Sequence, residues 1–415
     1  MSARTLLSIY WFVLFAALGV FFPFYSLYLD ENAGLTGTEV GLVMASVPLT
    51  GMFAQPLWGL AADRSGRRAR LLAILTACSA LGYAFLYWAV DFTMLLAATM
   101  VLSIFATAVV PLCISVCFSL LGASDPHAFG HTRVWGTVGF LVAVVSFPAA
   151  LDALHADGWV GRTMPGATEP GLEIMLPVTA LLTIVAAGIA ILLPDRPIDH
   201  DRRMHAGEWR TLLTHGPFVR FLLFIVGAYL FLQGPTSLFP LFVRSLGGDM
   251  DSVSHLWVLM VALEIPLVAY SGAGFARLGP RVLLAVGIGC GALRWLVSGF
   301  AEDWRIIYAV QALHGVTVGG LIIGAPYYVD AIVPARLRST AQGILSMAGV
   351  SLGGILSNLL TGALIDQYGA RAPAILGGAG ALLLTFLLPT MVARTANAVM
   401  PDTVLGEPLS ADPLA

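Results

Sequence analysis

Three ionisable side chains lie inside long apolar stretches of the C-terminal half: Glu264, Arg294 and His314. Charges in such surroundings cost about 2.5–3.5 kcal/mol each on insertion scales, so they mark function by default. An acid, a base and an imidazole can pass a proton while keeping one another paired. The trio therefore reads as a proton-coupling group. The competing reading is a structural Glu264–Arg294 ion pair beside a hydrogen-bonded core histidine. A fourth charge, Arg133, opens another apolar stretch in His131-Thr132-Arg133-Val134-Trp135-Gly136. The preceding stretch, Pro111-Leu112-Cys113-Ile114-Ser115, offers it no acid. An arginine without an internal partner can hold a substrate carboxylate through both nitrogens; it can equally be a basic helix end. Gln55, Gln233, Gln311 and Gln342 are uncharged polar groups in or beside apolar runs, suited to a cavity or to hydrogen bonds between helices. The aromatic-rich first stretch adds Tyr25. Arg133, Gln233, Gln311 and Tyr25 form the candidate substrate-binding set.

A second pattern is Gly59-Leu60-Ala61-Ala62-Asp63-Arg64-Ser65-Gly66-Arg67-Arg68. Gly59 is expected to seat a neighbouring helix, and Gly66 permits a sharp turn. A carboxylate near its own helix C-terminus is unfavourable alone. Asp63 therefore needs an arginine or the N-terminus of another helix. Gly59, Asp63, Arg64, Gly66, Arg67 and Arg68 together read as a conformational latch, against the alternative of a plain basic loop. A weaker copy recurs at an offset of 213, where Gly272, Arg277, Gly279 and Arg281 match Gly59, Arg64, Gly66 and Arg68.

The elements that must position these residues follow from composition. The chain has 415 residues, 58% hydrophobic and 11% charged, whereas soluble proteins carry about 25% charge. That excludes a soluble enzyme and a disordered chain, and the net charge of −3 gives no basic footprint for nucleic acid. A membrane span needs about 20 apolar residues. Twelve such runs occur, at 5–29, 38–61, 70–90, 93–121, 132–151, 173–194, 217–243, 252–274, 281–300, 304–329, 338–364 and 373–393. Unalternating runs of this length are helices. The first is too long for a signal-peptide core and lacks a small-residue cleavage site.

All 21 basic residues are arginine. With the N-terminus inside, 16 fall in inside segments, four (Arg162, Arg244, Arg305, Arg371) fall outside, and Arg294 lies within a span. Basic residues collect on the cytoplasmic side, which places both termini there. The chain divides into a six-span bundle at 1–194, a linker loop at 195–216 and a second bundle at 217–394. The polar tail 395–415 reads as disordered. Within the linker, Glu208 to Leu213 is expected to form a short surface helix. Cys78, Cys113, Cys117 and Cys290 match no zinc spacing and read as small apolar residues.

The Gly59-x-x-x-Asp63-Arg64-x-Gly66-Arg67-Arg68 pattern resembles the signature of the major facilitator superfamily, over roughly Ser8 to Leu388. Phe22-Pro23-Phe24, Gln55-Pro56-Leu57-Trp58-Gly59-Leu60 and Phe129-Gly130-His131-Thr132-Arg133 resemble the lactose permease branch. Glu264-Ile265-Pro266, Leu293-Arg294-Trp295 and Leu313-His314-Gly315 are similar to its phenylpropionate permease-like relatives. The resemblance implies an all-α membrane protein of twelve helices in two pseudo-symmetric bundles, with alternating access. It further implies coupling roles for Glu264, Arg294 and His314 and substrate contact for Arg133. The sugar permeases carry a further acid one turn after this histidine, where this chain reads Gly315-Val316-Thr317.

These readings predict a multi-pass protein of the bacterial inner membrane, working as a monomer without cofactor. It would carry protons with a small organic solute, an aromatic or other carboxylic acid first and a nucleoside or sugar next. A proton-driven exporter uses the same machinery in reverse. No P-loop is present. A membrane enzyme would need a catalytic cluster, for which His127, His131 and Asp125 are the nearest candidates.

Overall fold

The computed structural model describes residues 2–121, 128–159, 161, 169–195, 209–269, 279–334, 337–395 and 399–400. Its long helices are α1 (Ala3–Asn32), α2 (Gly37–Ser65), α3 (Arg68–Leu86), α4 (Phe92–Leu121), α5 (Ala128–Ala156) and α6 (Leu172–Ile191) in the first half. The second half has α7 (Gly216–Ser237), α8 (Met250–Ala269), α9 (Pro280–Gly299), α10 (Leu313–Ile332), α11 (Arg338–Tyr368) and α12 (Ala372–Met391). Eleven are long and apolar enough to cross a membrane, and α8 carries the shorter apolar stretch Met250–Ala262. The protein is an all-helical, multi-pass membrane protein.

Local chemistry sets the helix ends. Thr36 and Glu39 form a reciprocal capping box at the start of α2, and Gly66 ends it in the left-handed region at φ 62°. Gly279, the counterpart of Gly66 in the weaker copy, also has positive φ, 76°. Gly272 and Arg277 of that copy lie outside the described residues. Asp195 caps α3, accepting from Ala69 N at 2.9 Å. The expected continuous run 217–243 is broken: α7 stops at Ser237, and a short helix, Phe239–Ser245, follows. Pro240 has no N–H to give to the carbonyl of Thr236, so the hydrogen-bond ladder cannot pass through it. The linker forms the expected short helix over Trp209–Thr214. The tail departs from the expected disorder at Met400, which is buried and donates its N–H to Ile332 O at 2.9 Å. Residues 401–415 lie outside the described residues.

Glycine permits several close helix crossings, among them α9 on α10 and α2 on α11. A Cβ on Gly320 of α10 would stand 2.6 Å from Gly287 Cα of α9. A Cβ on Gly41 of α2 would stand 2.6 Å from Asn358 O of α11. The second crossing joins the halves. A further seam joins α5 to α8, where Ser254 Oγ donates to Val144 O at 2.6 Å and Trp257 packs edge-on to Phe22 and Phe140.

The hydrogen bonds and ion pairs between the halves cluster at the arginine-poor end. There Arg244, in the Phe239–Ser245 helix, meets Glu31 of α1 at 2.7 Å and Glu169 of the α5–α6 connection at 3.1 Å. Asp366 of α11 caps the start of α2. At the arginine-rich end the last turns of α2 are open, with Leu57 67% exposed.

Candidate functional site: buried polar groups of α5, α8, α9 and α10

Arg294 is 1% exposed on α9, yet no carboxylate lies within ion-pair distance of it among the described residues. Its fork is spread over neutral acceptors. Nε donates to Gln311 Oε1 at 2.9 Å, Nη1 meets His314 Nδ1 at 3.3 Å, and Nη2 approaches Met260 Sδ at 3.5 Å. The guanidinium also lies over Trp295 and Phe239, 4.3 and 5.6 Å from the ring centroids. Such π faces partly replace the water that a buried cation gives up. Gln311 Nε2 has no partner inside this cluster. Arg294, Gln311 and His314 are thus brought together by α9 and the α10 approach.

Glu264 stands four residues beyond Met260 on α8, about 6 Å further along the axis toward the arginine-rich end. The charge that reaches it is Arg133 of α5, in the other half. The sequence grouped Glu264 with Arg294 and His314; here the charge that acts on Glu264 is that of Arg133, without an ion pair between them among the described residues. Arg133 lies over Trp11 and Phe15 of α1, at 4.7 and 4.2 Å, and its Nη1 reaches Thr137 Oγ1 at 3.5 Å. Trp11 Nε1 in turn donates to Cys117 Sγ at 3.2 Å. Arg294, Gln311 and His314 thus form a polar cluster within the second half, while Arg133 and Glu264 stand on the packed helices α5 and α8 of the two halves.

The other candidates separate. Gln233 is half-buried and holds Ser237 Oγ at 3.4 Å. Tyr25 is a core residue in this conformation, its hydroxyl 2.5 Å from Thr99 Oγ1 and its ring stacked on Phe21. Gln55 is exposed. Gln342 ties α11 to α10 through Pro326 O and Asp330 Oδ1, both at 2.9 Å. In the loop expected to act as a latch, Asp63 accepts from Arg68 Nη2 at 2.5 Å, and Gly66 makes the turn. Gly59 seats no neighbour here: a Cβ on it would meet open space. His127 and Asp125 lie outside the described residues, and no group of three potential metal ligands occurs among those described. Sequence reasoning missed the bracket of Trp11 and Phe15 and the Arg244–Glu31–Glu169 bridge. The only available signal for the bridge was charged residues at span ends.

A twelve-helix, two-bundle protein with a charge buried among its apolar helices is built as a membrane transporter. The chain belongs to the MFS_1 like family, whose model matches residues 4–373. It is 28% identical to the maltose permease of Geobacillus stearothermophilus over 88% of this chain and 89% of that one. It is 24% identical to a probable 3-phenylpropionic acid transporter of Escherichia coli, over 78% and 82%. Its fold matches the crystal structure of a mutant of the nucleoside transporter NupG at a TM-score of 0.81, with 17% identity over 94% of this chain and 100% of that one. The chain is an MFS permease-type transporter.

Proposed function

We propose that the protein is a proton-coupled symporter for a neutral, polyhydroxylated solute, a sugar or nucleoside, working by alternating access. The observation that carries this reading is the packing of α5 on α8, which lets the charge of Arg133 act on Glu264 across the halves. The sequence favoured a carboxylic acid because α4 gives Arg133 no acid. Glu264 supplies the missing countercharge from α8. A guanidinium and a carboxylate on packed helices of the two halves offer donors and acceptors to hydroxyls and leave no net charge to bind an anion. Similarity to a maltose permease supports the same class. Protonating Glu264 would weaken its hold on Arg133 and let the halves, 1–194 and 217–394, rock about the site. The arginine distribution supports a cytoplasmic-membrane protein with both termini inside. One chain supplies both sides of the site, which suits a monomer.

A second reading keeps the carboxylic acid: once Glu264 is protonated, Arg133 is free to bind an anion. Similarity to the 3-phenylpropionic acid transporter supports it.

The test is uptake into proteoliposomes under an imposed inward proton gradient, with maltose, sucrose, uridine and 3-phenylpropionate. A sugar or nucleoside should accumulate. Glu264→Gln should lose accumulation while retaining exchange. Wild-type accumulation by Glu264→Gln would overturn the coupling role. Accumulation of 3-phenylpropionate alone would replace the neutral solute with the second reading.

A further inference from the structure

α5 and α6 both pack against α1. Gly19 lets α1 come close to α5: a Cβ there would stand 2.6 Å from Phe140 O. Thr179 of α6 donates its hydroxyl to Ala17 O of α1 at 3.5 Å. Between α5 and α6 a groove of about 320 Å³ remains. Each helix gives it a stripe of residues at every fourth position, which is one side of a helix. The floor is α1, through Phe12, Ala16 and Val20. α5 contributes Val142, Ser146, Ala150 and Leu154, and the small side chains of Ser146 and Ala150 hollow the groove. α6 closes the far wall with Ile174, Val178 and Leu182. Apart from Ser146 the described lining is apolar.

The groove opens sideways, away from Arg133. Val142 follows Arg133 by nine residues, half a turn further round α5 at 3.6 residues per turn. Val142 is 52% exposed, and Ser146 and Ala150 are exposed with it. The opposite face of α5 meets α8, where Val144 O accepts from Ser254. An exposed side of a membrane-spanning helix faces hydrocarbon, so lipid is what covers the groove. Its dimensions select the occupant. Leu154 lies two residues from the end of α5, at the arginine-poor end, and Val142 lies twelve residues deeper. That is about 18 Å along the axis, close to one leaflet's share of a hydrocarbon core about 30 Å thick. A helix from a second copy or another protein, about 10 Å across, fills more than about 1,000 Å³ over the same length. A single extended acyl chain, lying along the membrane normal, has the length, the girth and the apolar surface that fit.

We propose that this groove is a docking site for one acyl chain of a phospholipid. The chain enters from the leaflet at the arginine-poor end and brings its methyl end beside Val142 and Leu182. Lipid tails are as apolar as leucine, so hydrophobicity alone does not favour the groove over the bilayer. Contact on three sides does, because a void there would forfeit the dispersion attraction of every lining atom. The docked chain backs Phe12 and Ala16, the neighbours in sequence of Trp11 and Phe15, whose rings lie against Arg133. The inference does not depend on which solute is carried.

The test is photolabelling of the full-length protein in nanodiscs of phosphatidylethanolamine and phosphatidylglycerol. The bilayer is doped with a phospholipid that carries a diazirine at the end of one acyl chain, and mass spectrometry locates the adducts. They should concentrate around Val142 and Leu182, several-fold above those at Ile74 of α3 and Leu383 of α12, which lie near mid-helix and are 56% and 57% exposed. Ser146→Phe, which fills the groove, should lower the groove adducts several-fold and leave those at Ile74 and Leu383 unchanged. Ala150→Leu should lower them less. Groove labelling no higher than at Ile74 and Leu383 would make the lipid ordinary surrounding bilayer and overturn the proposal. So would full groove labelling in both variants. Loss of the groove adducts on adding 3-phenylpropionate would give the groove to an apolar solute instead. Loss on passing from one to two protein chains per disc would give it to a second copy.

Discussion

Arg294 Nη1 lies 3.3 Å from His314 Nδ1. An arginine has only protons to give. The imidazole therefore accepts through Nδ1 and carries its proton on Nε2. Removing the acceptor leaves a buried donor unsatisfied. His314→Leu is expected to cost about 1–3 kcal/mol. His314→Gln, which keeps an acceptor oxygen, should recover part of that. Thermal unfolding in detergent reads both, and equal stability of the two variants would remove the hydrogen bond from the account.

Arg133 is held by two aromatic faces and opposed by Glu264. Lysine keeps the charge but not the planar fork that stacks and bonds through two nitrogens. Arg133→Lys should weaken solute binding at least about tenfold, or about 1.4 kcal/mol, with little change in thermal stability. Isothermal titration with the transported solute measures it. Unaltered affinity would show that Arg133 does not touch the solute.

The arginine-poor bridge should respond to pH through Glu169. Burial pushes its carboxyl above the ordinary value of 4.5, and Arg244 opposes this only in part. An acid raised in the folded state favours that state when protonated. Its contribution is full below 4.5 and is lost as pH rises through the raised value. Stability of the closed end should therefore fall over a window opening just above pH 4.5. Glu169→Gln should flatten that slope. Unfolding temperatures between pH 4.5 and 7 test it. An identical slope in the variant would assign the window to another group.

Gly41 marks a close contact between α2 and α11. A Cβ there would stand 2.6 Å from backbone, Asn358 O, which cannot swing aside as a side chain could. Gly41→Ala should destabilise the closed arrangement by about 1–3 kcal/mol. Gly59→Ala, which meets open space, should leave it unchanged. Comparing the unfolding temperatures of the two alanine variants checks this.

The amino-acid order by itself determined the helices, their number and their likeness to a transporter family. Those depend on runs of neighbouring apolar residues and on local punctuation: the capping box at Thr36 and Glu39 and the turn at Gly66. Pro240 was also in plain view, but its break in α7 needed the observed hydrogen bonds to place. Sequence also marked Glu264, Arg294, His314 and Arg133 as important, because a charge in an apolar run is costly wherever it ends up. It did not determine which charges meet. Bringing the charge of Arg133 to act on Glu264 across the halves, and leaving Arg294 on Gln311, His314 and Met260, depends on how α8 packs on α5 and against the residues around Arg294. Likewise Glu31 and Arg244, or Gly37 and Asp366, are hundreds of residues apart and meet only because the halves close on each other. Hydropathy is a local property and is read locally. The partner of a charge is a property of packing, and only the tertiary structure decides it.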